Sequence, residues 1–405
     1  MTKPELLAPA GNLEKMKTAF AFGADAVYLG IPDFSLRVRI NDFDLESIKI
    51  AVDYAHNLKK KVYVTINIFA HNKHIDKLPN YIKKLKEFNV DGVFVSDPGI
   101  FNIIKEIWPE CHISLSTQAN CTNWSSAKFW KDQGMNRVIL GRETTLEEKK
   151  ENLDMKIEVF VHGAMCMAYS GRCFLSKLLT GDRDANLGDC AQPCRWKYDI
   201  RPEGHDVDME LVEEKHGSYI MNSHDMCLLK RLPELIDLNL HAFKIEGRAK
   251  SVYYLANVVG AYRQAIDWII SGEKDLKNKL DYLYQELEQK LYHRGYTEGF
   301  MFNKGKLAQN LDNSHTNPDW EFCGQVINSK KGIIYVKVHN IIQLGDEIEI
   351  IKPHYDIINM KLNNIKDAET GEKINKAHGG GGGQVVILEI DEKIPIYSVL
   401  RRKIK

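Results

Sequence analysis

The sequence has no surplus of charge, since 55 lysine and arginine residues balance 55 aspartate and glutamate residues over 405 positions. No global field would draw such a chain onto nucleic acid, so any RNA contact must use local patches. No run approaches the roughly 20 apolar residues that cross a bilayer. Residues 1–11 do not have the pattern of a signal or transit peptide. We therefore expect a cytoplasmic chain with no membrane span.

Several catalytic motifs are also absent. The sequence contains no His-Glu-x-x-His and no Gly-x-Ser-x-Gly, the motifs of zinc peptidases and of α/β-hydrolases. The glycine run Gly379–Gly383 is not followed by Lys-Ser or Lys-Thr, so it is not a phosphate-binding loop. No repeat of solenoid period is visible. These absences disfavour a peptidase and a P-loop enzyme.

Short segments rich in β-branched residues alternate with helical patterns along the first two thirds of the chain. The predicted strands are Glu5–Ala8, Ala26–Gly30, Val62–Asn67, Gly92–Asp97, Ile113–Gln118, Arg137–Arg142, Ile157–Gly163 and Phe243–Arg248. Alternation of this kind predicts parallel strands joined by crossover helices, and eight repeats favour a closed barrel. The predicted fold is therefore an α/β (β/α)8 TIM-like barrel.

The predicted domain organisation has three parts. The barrel spans 1–272 and includes an insertion, residues 164–221, after its seventh strand. A helical and loop linker spans 273–317, and short alternating runs in 318–405 predict a C-terminal all-β, barrel-like module. A helix is predicted over Asp225–Leu238, before the last barrel strand. Loops that follow barrel strands lie at the mouth where catalytic groups gather, so the insertion should lie there too.

Cysteines are the most informative residues of the insertion. Five are clustered with gaps of 7, 17, 4 and 33 residues: Cys166, Cys173, Cys190, Cys194 and Cys227. In a reducing compartment, spaced cysteines hold metal more often than they form disulfides. Thiolates suit both iron–sulfur clusters and zinc. The long uneven gaps favour a cluster, and zinc or reduced structural cysteines remain alternatives. The separate Cys111, Cys121 and Cys323 are predicted to be buried core residues.

Alternate residues of a barrel strand point inward, and in several predicted strands one of the two alternating sets of side chains is polar. Its members are Thr65, Asn67, Ser114, Ser116, Gln118, Glu158, His162, Lys244, Glu246 and Arg248. A barrel interior that only packs should be filled with Val, Ile and Leu. The pattern predicts a ligand pocket. The alternative is an internal ion network among Glu158, Glu246, Lys244 and arginines.

Candidate substrate contacts come from these polar positions and from strand six. Arg142, Lys244 and Arg248 near one mouth would suit a small anionic substrate, because guanidinium groups bind carboxylates with paired hydrogen bonds. Asn67, Gln118 and, from the insertion, Tyr169 complete the predicted substrate-binding set. The sequence thus predicts an anion site inside the barrel mouth.

Three further residues are candidate catalytic groups. Glu143 and Glu246 could pair with the basic residues or act as acid–base groups. His162 stands next to the insertion and could contact either a cluster or a substrate. We take all three as candidates for proton transfer.

The segment from Glu158 to Cys166, continuing to Cys173, is very similar to the signature of the collagenase-like family filed among peptidases of unknown catalytic type. Supporting matches are Glu5–Gly11, Ser116–Asn120, Phe243–Arg248 and His293–Phe300. The resemblance covers nearly the whole chain, including the terminal β module.

The resemblance implies a function. The family includes prephenate-dependent tRNA uridine hydroxylases that make 5-hydroxyuridine at the wobble position, a ribosomal RNA cytidine hydroxylase and oxygen-independent ubiquinone hydroxylases. Length and the single terminal module resemble the tRNA enzymes most. By resemblance, Cys166, Cys173, Cys190 and Cys227 would hold a 4Fe-4S cluster, with Cys194 spare. The alternatives are another substrate of the same chemistry, a collagenase-like peptidase, or a non-catalytic RNA-binding protein.

The implied partners are prephenate and the anticodon loop of tRNA. Prephenate carries two carboxylates, which match the basic residues of the predicted mouth. The anticodon loop is single-stranded, so its wobble base could enter the barrel without melting a helix. Tyr169, Trp196 and Tyr198, all in the insertion, are candidate surfaces for stacking bases, with core packing as the alternative.

Overall fold

The structure is a computed structural model that describes residues 2–35, 42–146, 155–166, 168, 173–196, 222–302, 315–380 and 382–404. The chain divides into two compact units. The first comprises Met1–Asn12, Ala26–Arg248 and Tyr292–Thr316, and the second comprises Leu13–Asp25, Ala249–Leu291 and Asn317–Lys405. Tyr169 and Tyr198, two of the predicted stacking residues, lie outside the described residues.

A closed parallel barrel forms the first unit. In chain order the strands of this unit are β1 Glu5–Pro9, β2 Ala26–Gly30, β3 Lys61–Ile66, β4 Gly92–Val95, β5 Ile113–Leu115, β6 Arg137–Ile139, β7 Lys156–Ala164, β8 Asp225–Cys227, β9 Ala242–Ile245 and β10 Tyr296–Thr297. The barrel itself is formed by β1 to β7 and β9. Strands β1 to β7 pair in sequence, and β9 pairs in parallel with both β7 and β1. The predicted TIM-like barrel is confirmed.

Helices follow most of the barrel strands. In the first unit the structure has helices at Leu45–Asn57, Asn72–Ile75, Leu78–Glu87, Pro98–Ile107, Trp124–Asp132, Leu175–Thr180, Leu232–Asp237 and Gly299–Phe302. The helix at Leu45 begins with a capping box, in which Asp44 and Ser47 each accept a hydrogen bond from the backbone N–H of the other. Such a box satisfies two of the N–H groups that a helix start leaves open.

Four strands end two or three residues before their predicted ends. Strands β6 and β9 end at Ile139 and Ile245 instead of Arg142 and Arg248, and capping residues explain the early ends of β4 and β5. Strand β4 stops at Val95 because Asp97 Oδ1 accepts the N–H groups of Gly99 and Ile100 and so starts a helix. Strand β5 stops at Leu115, and Ser116 caps a short 3-10 turn at Thr117–Ala119. Gln118 therefore lies on a turn and not at an inward strand position.

The segment around Cys227 also differs from its prediction. The predicted helix from Asp225 is wrong at its start, since Asp225–Cys227 forms β8, antiparallel to the end of β7, with Cys227 opposite His162. Pairing satisfies the backbone groups of the extended β7, and Met226 and Cys227 are buried. The helix begins only at Leu232.

The strands of the second unit are β11 Trp320–Lys330, β12 Ile333–Val338, β13 Ile342–Gln343, β14 Glu347–Lys352, β15 Asp356–Lys361, β16 Lys366–Asp367, β17 Lys376–Ala377, β18 Val385–Glu389 and β19 Val399–Lys403. Seven of them form an antiparallel sheet of order β15-β14-β19-β11-β12-β18-β16, and β13 pairs with β17 in a separate two-stranded sheet. Helices Leu13–Ala21, Val252–Ser271 and Leu276–Lys290 belong to the same unit. The predicted all-β module is confirmed.

A buried set of four charges lies inside the second unit. Arg401 donates to both Glu286 and Glu349 at 2.5 Å, and Lys290 pairs with the same two carboxylates at 2.8 and 3.0 Å. We call Glu286, Lys290, Glu349 and Arg401 the module ion cluster. Each of its cations contacts both of its anions, so the charges balance within the cluster.

Cys111, Cys121 and Cys323 are buried, as predicted. Burial raises the pKa of the Cys121 thiol to about 11 and that of Cys111 to about 12. These thiols are therefore poor nucleophiles and behave as small apolar residues.

In the part of the chain that the structure describes, no helix is both long enough and apolar enough to cross a membrane.

Candidate active site

A buried ion network crosses the barrel interior from the start of β1. Arg137 donates to Glu5 at 2.9 Å and to Glu158 at 2.8 Å, and Lys244 donates to Glu158 at 3.0 Å. We call Glu5, Arg137, Glu158 and Lys244 the barrel ion cluster. Lys61, which is half exposed, pairs with Glu5 at 2.9 Å. Part of the predicted set of inward-facing polar residues thus forms an internal ion network.

Electrostatics inside this network follow from its burial. Burial acts to raise the pKa of Glu5, but the charges of Arg137 and Lys61 outweigh it and hold that pKa below its ordinary value. Burial lowers the pKa of Lys244, and the nearby Glu158 carboxylate opposes the shift. The surroundings therefore favour the ionised form of Glu5 and disfavour the charged form of Lys244.

Aromatic rings surround the ammonium group of Lys244. Its Nζ lies 3.6 Å from the ring centre of Phe94, 4.3 Å from that of Tyr28 and 5.7 Å from that of Phe160. Lys244 is only 4% exposed. Lys244 therefore lies among aromatic rings beside the Glu158 carboxylate, and its burial is like that of Arg248, which is 5% exposed.

Arg248 reaches across the barrel at the end of β2. Its Nη1 donates to Ser35 Oγ at 2.7 Å and to Thr65 Oγ1 at 3.2 Å, and its guanidinium lies 5.8 Å from the Tyr28 ring centre. Gly30 makes this position possible, because a Cβ there would lie 2.4 Å from Ser35 Oγ and 2.7 Å from Arg248 Nη1. Two hydroxyls hold the guanidinium in place, so Arg248 is a preformed cation.

Arg142 lies at the carboxyl end of β6 with Glu246 beside it. Arg142 Nη2 donates to Glu246 Oε2 at 3.4 Å, a long contact, and the guanidinium lies 3.8 Å from the Phe160 ring centre. The side chains of Arg142 and Glu246 are 10% and 18% exposed. An ionic ligand could replace the Glu246 carboxylate on Arg142, because the pair is loose and reaches solvent.

Gly163 shapes the backbone next to Glu246. Its φ is +109°, and a Cβ there would lie 2.5 Å from the carbonyl oxygen of Glu246. An L side chain would be strained at that φ and would clash. The glycine therefore sets the close approach of β7 to Glu246.

The remaining predicted polar residues lie around the same mouth. Asn67 Nδ2 donates to Ser116 Oγ at 3.3 Å, and the Gln118 N–H donates to the same hydroxyl oxygen at 3.3 Å. Glu143 follows β6, near Gly141, where a Cβ would lie 2.7 Å from Glu143 Oε2. The structure brings Asn67 and Gln118 to one hydroxyl and leaves Glu143 on the loop beyond Arg142.

His162 is joined to an aromatic group that the sequence did not single out. Its ring lies 5.5 Å from that of Tyr296, which stacks on His293 at 4.0 Å. Arg294, between those two residues in sequence, forms a buried ion pair with Asp225 and donates to the carbonyl oxygen of Ser223 at 2.8 Å. The His293–Phe300 motif was visible in the sequence, but only its spatial position beside His162 reveals its connection with the site.

The cysteines of the insertion differ in exposure. Cys227 is buried, Cys166 is exposed, and Cys173, Cys190 and Cys194 are partly buried. Burial raises the pKa of the Cys194 thiol, and Arg195 opposes this while negative charge on Cys166, Cys190 and Cys173 adds to it. Four thiols are thus close enough to influence one another electrostatically.

The donor set is chemically suited to an iron–sulfur cluster, because such clusters are held by thiolates. Within the described ranges, however, no group of three or more His, Cys, Asp or Glu side chains is drawn together closely enough to hold a metal ion. The Gln192 N–H already contacts Cys190 Sγ at 3.3 Å, a backbone donor of the kind that tunes cluster sulfur. The cysteine thiols are chemically suited to an iron–sulfur cluster, but the positions of their side chains in the described residues do not define a coordination geometry.

Fold and site together define a class: a (β/α)8 barrel protein with cations at its mouth and a thiol-rich insertion after the seventh strand. Comparison with known families agrees with this class. Residues 11–310 match the model described as Peptidase family U32, and residues 318–401 match the Peptidase family U32 C-terminal domain. The chain belongs to peptidase family U32.

Relatives match over nearly the full length. The "tRNA hydroxylation protein P" of Escherichia coli (strain K12) is 38% identical, covering 99% of this chain and 97% of the relative. The "tRNA hydroxylation protein P1" of Bacillus subtilis (strain 168) is 37% identical, covering 99% and 95%. The "23S rRNA 5-hydroxycytidine C2501 synthase" of Escherichia coli (strain K12) is 32% identical, covering 91% of this chain but 55% of that protein.

Proposed function

We propose that this protein hydroxylates the wobble uridine of tRNA to 5-hydroxyuridine without molecular oxygen, with prephenate as co-substrate and a 4Fe-4S cluster as cofactor. The observation that carries the proposal is the match to relatives named as tRNA hydroxylation proteins over 99% of this chain. The ribosomal RNA synthase extends well beyond the region matched here, which makes its substrate the less favoured alternative.

The mouth of the barrel supports a dicarboxylate co-substrate. Arg248 is held by two hydroxyls, so it binds an anion without first losing side-chain freedom. Arg142 lies on the Phe160 ring and is paired only loosely with Glu246. Each guanidinium can take one carboxylate through paired hydrogen bonds.

The proposed proton-transfer groups are the carboxylates of Glu246 and Glu143 and the imidazole of His162. Glu246 is released from Arg142 when a ligand carboxylate takes its place, and it is then positioned to accept a proton from a group bound at the mouth. Glu143 lies on the adjoining loop. His162, opposite Cys227 on the paired strands and against Tyr296, orients this edge of the site.

Cys166, Cys173, Cys190 and Cys227 would hold the cluster, and Cys194 would remain a free thiol beside it. A bound cluster would supply one-electron redox chemistry at the mouth. Burial, helped by Arg294, lowers the pKa of Arg195, and negative charge on Cys166 and Cys194 opposes that shift, so the guanidinium lies near these thiols. A cation at that position stabilises thiolate charge.

The RNA would approach from the insertion side. Trp196 is 41% exposed and Phe174 is 75% exposed, so both rings are available to stack on unpaired bases of the anticodon loop. Lys177 follows Phe174 on the next helix and adds positive charge for the phosphates.

Nucleoside mass spectrometry tests the proposal. The anaerobically purified protein is incubated with prephenate and with tRNA from a strain that lacks its gene, and the digested tRNA is analysed for 5-hydroxyuridine. We expect product with wild type, none without prephenate, and a large loss with Arg248→Ala. Arg402→Ala, which removes an arginine paired with Glu321 in the second unit, is the matched control and should retain activity.

Two results would contradict parts of the proposal. Hydroxylated cytidine in ribosomal RNA, with no change in tRNA, would replace the substrate. Zinc in the purified protein without acid-labile sulfide, or full cluster content in a Cys227→Ser variant, would overturn the ligand assignment.

A further inference from the structure

Lys244 is a buried nucleophile that the proposed function leaves without a chemical role. It lies inside the barrel on β9, 4% exposed, with Glu158 Oε1 3.0 Å from its Nζ. Its Nζ lies against the rings of Tyr28 and Phe94, a costly place for an ammonium group. This position indicates a role beyond simple charge.

The network around Lys244 does not need its positive charge. Glu5 and Glu158 are the two carboxylates, and Arg137 and Lys61 already supply two cations to them. Lys244 adds a third, through Glu158 alone. Burial lowers its pKa, with Glu158 and Glu246 acting in the opposite direction and Arg137 in the same direction. A lowered pKa enlarges the neutral, nucleophilic fraction of an amine.

Two rings connect Lys244 with the cations of the mouth. The Tyr28 ring centre lies 4.3 Å from Lys244 Nζ and 5.8 Å from the Arg248 guanidinium. The Phe160 ring centre lies 5.7 Å from the same Nζ and 3.8 Å from the Arg142 guanidinium. Lys244 thus shares a ring neighbour with each arginine, so a molecule whose carboxylates contact the two arginines would lie close to the rings that surround Lys244.

We propose that Lys244 forms an imine with the ketone of a 2-oxo acid bound between Arg142 and Arg248. The identification of that acid as prephenate, whose side chain is a 2-oxo acid, rests on the proposed function. The Lys244 nitrogen adds to the ketone carbon to form a carbon–nitrogen bond. The ketone oxygen then leaves as water with the two amine hydrogens, so the step needs no oxidant or reductant. Glu158, already hydrogen-bonded to Nζ, accepts and returns the proton that moves between the two atoms.

Borohydride trapping tests this proposal on the wild-type chain. The purified holoprotein is incubated with prephenate or pyruvate, reduced with sodium borohydride, digested and mapped by mass spectrometry. We expect a reduced adduct on the peptide that carries Lys244, dependent on the 2-oxo acid and absent with lactate. Lys244→Met should lose the adduct, and Lys290→Met, which removes a buried ion-paired lysine of the second unit, should keep it.

The outcomes separate this inference from the proposed function. A protein that hydroxylates tRNA with prephenate but gives no adduct at Lys244 overturns the imine and leaves the function standing. An adduct at Lys244 in a protein that does not modify tRNA supports the imine and overturns the tRNA function. Because the mapping uses the wild-type chain, the result does not depend on how well the Lys244→Met variant folds.

Discussion

The two buried ion clusters of this protein have similar composition and different arrangement. In the module ion cluster each cation contacts both carboxylates, so the four charges form a closed set. In the barrel ion cluster the ion pairs form a linear series from Glu5 through Arg137 and Glu158 to Lys244. A closed set of ion pairs stabilises a fold. In the linear series, the terminal residue Lys244 contacts one carboxylate only and is available for chemistry.

The largest expected effect compares the central arginines. Arg401→Ala leaves Glu286 and Glu349 with one lysine between them, and removing one partner of a buried ion pair costs about 3–5 kcal/mol. Arg137→Ala leaves each carboxylate with its own lysine, so we expect a loss near the lower end, about 3 kcal/mol. Urea denaturation measures both. Lys84→Ala, which removes an exposed pair with Glu87, is the control, and equal losses for Arg137 and Arg401 would contradict the contrast.

The second prediction compares the two lysines. Lys244→Met places an apolar side chain of similar volume among the rings, so we expect a small loss of stability, about 1 kcal/mol. We expect tRNA hydroxylation to fall about a hundredfold or more, the scale expected when a covalent or acid–base group is lost. Lys290→Met should leave hydroxylation within about twofold. Initial rates with saturating tRNA measure both. A Lys244→Met protein with wild-type activity would contradict the claim that Lys244, unlike Lys290, takes part in the reaction.

The third prediction concerns acid sensitivity of the barrel. Burial, helped by Arg137 and Lys156, lowers the pKa of His112 from 6.5 to about 4. Between those values the unfolded chain binds the proton and the folded chain resists it, so this contribution to stability is complete above pH 6.5 and is lost as pH falls toward 4. Such a shift corresponds to about 3 kcal/mol, which solvent screening of a partly exposed ring reduces to about 2 kcal/mol.

His112→Gln measures that contribution. Unfolding free energies of the variant and the wild type, compared at pH 7 and pH 4.5, should show a smaller acid-induced loss in the variant. An equal loss in both would place the acid sensitivity elsewhere.

The smallest expected effect comes from a single glycine at the mouth. Gly30→Ala places a Cβ against Ser35 and Arg248, which shifts the guanidinium, and we expect the apparent affinity for prephenate to fall about tenfold, or about 1.4 kcal/mol. Gly380→Ala is the control, since a Cβ there meets nothing within 4 Å. A KM for prephenate that stays constant would show that Arg248 does not contact the co-substrate.

Sequence patterns predicted the barrel and the module but not the ends of the elements. Strands β4 and β5 are shorter than predicted because Asp97 and Ser116 cap the turns that follow them, a local competition that periodicity does not show. Cys227 lies on a strand because β7 extends far enough to pair with it. Such pairing is a tertiary effect and is not written in the local pattern.

The site predictions were also correct for some residues and missed others. Polar parity correctly indicated Glu158, Lys244 and Thr65 as interior residues, but it could not tell an ion network from a pocket, and the structure contains parts of both. Ser35 was missed because it follows β2 in an irregular segment, and Tyr296 because it lies on a strand of two residues that pairs with β8. The predicted roles of Glu143, His162 and the cluster ligands stay predictions.

The most direct measurement of the central claim is nucleoside mass spectrometry of tRNA from a strain without this gene, complemented by wild type, Lys244→Met or Lys290→Met. We predict loss of 5-hydroxyuridine-derived wobble nucleosides in the deletion strain, their return with wild type and Lys290→Met, and no return with Lys244→Met. Unchanged wobble nucleosides in a deletion strain that has no redundant enzyme would contradict the account.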